Sequence, residues 1–210
     1  MDVLARIDAA RAATDVLQHP FYQRWSAGEL SRAELGRYAG QYRHAVVALA
    51  DASDDAARSG GAHADGLARH AAEERDHVAL WDAFASACEA QPDAAPLSGT
   101  SDCVEAWRGG EDLLERLAVL YAIEASQPAI SETKLEGLRA HYDHVAEGPA
   151  TEYFVVHAVR DVEHAEQAGR LIEELLGAEA DAEVRADRMV ACAEAALRGN
   201  WRLLDSVEAD

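Results

Sequence analysis

Basic residues are scarce in this chain. Against 39 aspartates and glutamates stand only 19 lysines and arginines, a formal net charge of −20 over 210 residues. Such a surface repels polyanions, which excludes nucleic acid and anionic membrane as partners. Cysteine is scarcer still. Cys88, Cys103 and Cys192 are odd in number, widely spaced and form no C-x-x-C, which argues against a disulfide framework or a thiolate metal site. No run of about eighteen apolar residues occurs, and Met1-Asp2-Val3 does not open a signal peptide, so a soluble cytoplasmic protein is expected. Strand-like alternation of useful length is missing, as is any repeat with a period of about 20–50 residues.

What remains is helical. Alanine, leucine, glutamate and arginine dominate, while glycine and proline cluster at a few breaks. The pattern predicts one all-α domain over residues 1–210, with helices near 2–18, 20–28, 31–57, 62–90, 102–109, 111–143, 150–176 and 180–206. Ser31-x-x-Glu34 is a capping-box pattern. Ser59-Gly60-Gly61 stops a helix, Gln91-Pro92 through Ser98-Gly99 forms the longest loop, Gly109-Gly110 separates two helices, and Gly148-Pro149 opens another. Pro128 falls inside the 111–143 segment, where a missing N–H and a clash with the previous turn predict a kink.

Within the 150–176 segment runs His157-x3-Asp161-x2-His164. At 3.6 residues per turn these three positions share a stripe, together with Tyr153, Ala168 and Leu171, so two imidazoles and a carboxylate point inward. A buried acid there is costly unless a positive charge accompanies it. Glu124 ends an apolar run with no basic neighbour in sequence, so its carboxylate must be neutral, paired or metal-bound. In the His70-to-His77 segment, Glu73 and Glu74 lie at i, i+4 and i, i+3 to His77, and either can share its face. Each piece alone also reads as a packed or solvated side chain. Together, three helices offer two Glu, one Asp and three His, enough for two metal ions with bridging carboxylates and open positions for dioxygen. The lack of thiolates favours iron or manganese.

His19-Pro20-Phe21-Tyr22-Gln23-Arg24-Trp25, Gly28-Glu29-Leu30 and Tyr38-Ala39-Gly40-Gln41-Tyr42 resemble the opening of haem-oxygenase-like proteins related to the Chlamydia protein associating with death domains. The resemblance continues through Glu73-Glu74, His77, Leu80-Trp81, Leu120-Tyr121 to Glu124, Lys134-Leu135-Glu136-Gly137-Leu138 and the His157–His164 run. It implies a bundle of seven to eight helices, similar to thiaminase II and pyrroloquinoline-quinone synthase in fold but not in ligands. It further implies a non-haem dimetal oxidase, Fe/Fe or Fe/Mn, with ligands Glu73, His77, Glu124, His157, Asp161 and His164, and Glu74 as the rival to Glu73. Dioxygen and a reductant would be co-substrates. The implied chemistry is self-sacrificial synthesis of p-aminobenzoate for folate, with Tyr22 supplying the ring and Lys134 the amine. Tyr38, Tyr42 and Tyr153 are candidates for a relay of oxidisable rings.

Two departures from the family pattern stand out. The stretch from Glu73-Glu74 to His77 is about three residues short, and Ile123 stands where relatives often carry tyrosine. The alternatives are a multi-turnover dimetal enzyme that N-oxygenates, desaturates or oxidatively decarboxylates a small external molecule, and a non-enzymatic helical interaction module. The related fold is often dimeric, so a homodimer stands beside the monomer as an expectation.

Overall fold

The computed structural model describes residues 2–91 and 93–209, so Pro92 of the expected loop lies outside the described residues. Within them the chain is all-α, as the composition and periodicity imply. Nine α-helices follow one another: α1 Val3–Ala13, α2 Pro20–Ala27, α3 Arg32–Ser59, α4 Ala64–Ala87, α5 Ser98–Trp107, α6 Leu113–Glu124, α7 Gln127–His141, α8 Pro149–Leu176 and α9 Ala182–Ala209. No strand occurs among the described residues, and no helix there is long and apolar enough to cross a membrane.

Local chemistry explains most of the boundaries. Ser31 and Glu34 form the reciprocal capping box at the start of α3. His19 Nδ1 accepts from Phe21 N at 3.0 Å to cap α2, with Pro20 in its first turn. Gly28 closes α2 in the left-handed region at φ 73°, and a Cβ there would lie 2.6 Å from His141 Cγ, so both conformation and space require glycine.

Four expectations need correction. The 111–143 segment is two helices, because Ala125 N turns back to Tyr121 O and Ser126 N to Ile123 O, tightening the end of α6. Pro128 therefore sits in the first turn of α7, where its missing N–H costs nothing, and does not kink a continuous helix. The 2–18 segment likewise ends at Ala13, followed by a short 3-10 turn capped by Asp15, and α5 begins at Ser98 rather than 102.

The chain's few aromatics gather in one core. Tyr22, Trp25, Tyr38, Tyr42, Trp81, Phe84, Tyr153 and Phe154 are buried together, and the indole N–H groups of Trp25 and Trp81 donate to Lys134 O at 3.1 Å and Ala39 O at 2.8 Å. A second cluster around Ile7, Leu117, Ile172 and Met189 joins α1, α6, α8 and α9. The helix α8 packs against both α4 and α6, which brings the three segments that carry the candidate ligands to one place.

Candidate metal centre

His157, Asp161 and His164 occupy the buried stripe of α8, all at most 4% exposed. Facing them are His70, Glu74 and His77 on α4, and Glu124 at the last turn of α6 is wholly buried. Potential ligand atoms converge in two groups, each within 4.8 Å: His70, Glu74, Glu124 and His164 in one, Glu74, His77 and His157 in the other. Glu74 belongs to both. Its Oε1 lies 3.2 Å from His77 Nδ1, 3.4 Å from His164 Nδ1 and 3.8 Å from His70 Nε2, while His70 Nε2 lies 2.7 Å from Glu124 Oε1.

The residues fit a metal for a specific reason. Nε2 of His70 and His157, Nδ1 of His77 and His164, both oxygens of Glu124 and Asp161, and Oε1 of Glu74 are all buried without a hydrogen-bond partner, although several stand close to one another. A protein interior seldom leaves such atoms unsatisfied. His157 Nδ1 lies 2.7 Å from Tyr153 O; a carbonyl can only accept, so Nδ1 carries the proton and Nε2 presents a lone pair inward. His164 is oriented in the same way, its Nε2 lying 3.1 Å from Glu73 Oε2, which leaves Nδ1 to face Glu74.

The protonation energetics of the bare cluster pull in opposite directions. Burial drives Asp161 well above the usual carboxylate range, and the charges of Glu74 and Glu124 push it the same way. Burial also acts to raise Glu74, but the His164 and His77 imidazoles outweigh it and hold Glu74 well below that range. Burial takes His157 down to about 4 against the Glu74 charge. At His70 burial acts downward, yet Glu124, Glu74 and Glu73 together raise it to about 9. The cluster thus opposes the charge of Asp161 while favouring that of Glu74, a conflict that divalent cations would resolve without protonating either.

The structure redraws the part of α4. Glu73 turns outward: it is 38% exposed, and its Oε2 accepts from Arg160 Nη2 at 2.5 Å and Nε at 3.2 Å. Neither convergent group contains it, whereas its rival Glu74 belongs to both. The physical reason is rotation about the helix. Adjacent residues differ by about 100°, and only the positions of α6 and α8 select which of the two faces inward. Sequence reasoning also passed over His70. A signal was present, because His70-x3-Glu74-x2-His77 repeats the spacing of His157-x3-Asp161-x2-His164.

Lys134 and the expected relay tyrosines lie beside this cluster. Lys134 is wholly buried on α7, its Nζ has no hydrogen-bond partner, and burial lowers its pKa to about 7. The Nζ stands 4.6 Å from the centre of the Tyr42 ring and 5.4 Å from those of Tyr22, Tyr38 and Phe154. Tyr22 and Tyr38 share a hydroxyl–hydroxyl hydrogen bond of 2.9 Å, and Gln127 Nε2 donates to the Tyr42 hydroxyl at 3.0 Å. Burial raises the pKa of all four tyrosines, including Tyr153, so each is a neutral phenol.

Solved structures share this architecture. A domain of unknown function with a haem-oxygenase-like fold from Shewanella denitrificans superposes with a TM-score of 0.81 at 19% identity, covering 100% of this chain and 93% of that one. The fold is haem-oxygenase-like. A TenA homologue from Pseudomonas syringae gives a TM-score of 0.82 at 15% identity, with 99% and 91% covered. No protein-family model matches the chain. Curated relatives do: 4-aminobenzoate synthase of Nitrosomonas europaea is 28% identical over 96% of this chain and 89% of its own length, and that of Chlamydia trachomatis 28% over 90% and 87%. The resemblance drawn from the motifs is thereby borne out. In this haem-oxygenase-like bundle the motif Lys134–Leu138 has a structural reason, since a Cβ on Gly137 would come within 2.5 Å of Trp25 Cδ1, whose indole holds the carbonyl of Lys134.

Proposed function

We propose that this protein is a dioxygen-dependent dimetal enzyme that makes p-aminobenzoate from its own side chains, Tyr22 giving the ring and Lys134 the amine. The name of its relatives, 4-aminobenzoate synthase, supports the product. The buried donors support the metals: Glu74 would be shared between two ions, with Glu124, His77, His157, Asp161 and His164 around them. Iron with iron or with manganese suits these oxygen and imidazole ligands, and such a pair would supply dioxygen activation with electrons from an external reductant. Glu73 remains outside, as a carboxylate that orients His164.

One observation carries the reading, the burial of an unpartnered Lys134 amine among the rings of Tyr22, Tyr38 and Tyr42. With its pKa near 7 the amine is substantially neutral at physiological pH, which a nitrogen donor requires. Tyr22 is also connected to the metal ligands through contiguous rings. Centroid separations are 6.3 Å from Tyr22 to Tyr38, 5.3 Å to Tyr42, 4.8 Å to Trp81, 4.8 Å to Tyr153 and 3.8 Å to His157. In this reading Tyr38, Tyr42 and Tyr153 would pass oxidising equivalents outward, with Trp81 completing the series.

The test is aerobic reconstitution of the purified chain with iron, manganese or both and a reductant, followed by mass spectrometry of protein and small molecules. The expected result is about one p-aminobenzoate per chain with mass lost at Tyr22 and Lys134. Many turnovers that survive Tyr22→Phe would instead establish an enzyme acting on an external small molecule, and function unaffected by His157→Ala would leave a helical interaction module.

A further inference from the structure

The spacing H-x3-(D/E)-x2-H occurs twice, at His70, Glu74 and His77 on α4 and at His157, Asp161 and His164 on α8. The two copies meet head to tail. The His70 ring stands 4.0 Å from that of His164, and the His77 ring 4.4 Å from that of His157, so the helices run antiparallel through the site. The two ring contacts relate the motifs by an exchange of His70 with His157 and of His77 with His164, while Asp161, unlike Glu74, falls in neither convergent group. The atoms obey it too. In each motif the leading histidine leaves Nε2 without a partner and the trailing histidine leaves Nδ1. Unrelated core histidines would have no reason to match atom for atom.

Given the two-metal centre proposed above, on which this rests, we infer that its two positions are framed by four imidazoles, His70 with His164 and His77 with His157, one from each helix at each position. His70 is then a metal ligand through Nε2. Glu74 lies between the positions because its Oε1 reaches Nδ1 of both His77 and His164, at 3.2 and 3.4 Å. Glu124 breaks the symmetry, since it converges only with the His70–His164 pair. The rival role for His70 is an imidazolium paired with Glu124, whose Oε1 stands 2.7 Å from His70 Nε2; that role leaves only three imidazoles on the metals.

Cobalt(II) provides the test in the full-length chain, because a coordinated imidazole shows a hyperfine-shifted, exchangeable N–H proton resonance. Four such resonances are expected in the loaded wild-type protein, and three would overturn the inference without touching the two-metal reading. In His70→Gln, the cobalt content by elemental analysis is expected to fall from two ions per chain to one, while far-UV circular dichroism stays unchanged. Two ions bound with wild-type affinity in that variant would also overturn it. Should the variant fail to fold, the wild-type resonance count decides. A wild-type chain that takes up no cobalt would sink the two-metal centre and this assignment together.

Discussion

Lys134→Met removes a buried amine while nearly preserving its volume, and the consequence can be worked out from the folded chain. Burial lowers the Lys134 pKa from 10.5 to about 7, so between those values the unfolded chain binds more protons than the native one. Stability must rise with pH across that window, by up to about 1.4 kcal/mol per unit, and the cost of burial is fully present below about pH 7. Methionine carries no such cost. In metal-free protein the variant is expected to be the more stable at pH 7, with its advantage shrinking by roughly 3 kcal/mol between pH 7 and about 9.5. Comparing the two proteins cancels the opposing effect of His70, whose raised pKa makes stability fall as pH rises through about 9. Urea unfolding of chelator-treated protein, followed by circular dichroism at several pH values, measures the gap. A gap independent of pH would refute the reasoning, because the amine would then titrate alike in both states.

Glu74→Ala should abolish binding of both metals, whereas Glu73→Ala should retain both and weaken them by about 10–100-fold through the freed His164 ring, as competition with a chelator would report. Tyr22→Phe loses the hydrogen bond to Tyr38 and should cost about 1 kcal/mol in urea unfolding while eliminating p-aminobenzoate; product formed at the wild-type level would remove Tyr22 from the chemistry. Gly137→Ala forces a Cβ against the Trp25 indole and should destabilise the fold by about 1–3 kcal/mol, with a changed tryptophan fluorescence marking the displaced ring.

Local signals carried much of the architecture. Ser31 and Glu34 form their capping box because the interaction spans one turn, and Gly148-Pro149 opens α8 for reasons internal to the dipeptide. The α6–α7 break was harder to read. Residues 125 and 126 carry no glycine or proline, and Pro128 suits the first turn of a new helix as well as a kink.

By itself the sequence determined the all-α class, the inward stripe of His157, Asp161 and His164, and the burial of Glu124, because helical periodicity assigns a face to every residue of a long amphipathic segment. Only the tertiary structure decided that Glu74 rather than Glu73 turns inward, that His70 joins the cluster, and that Lys134 is enclosed by aromatic rings. Periodicity fixes a residue's direction about its own helix axis; which neighbouring helix that direction meets depends on how the axes pack, and no local spacing encodes that.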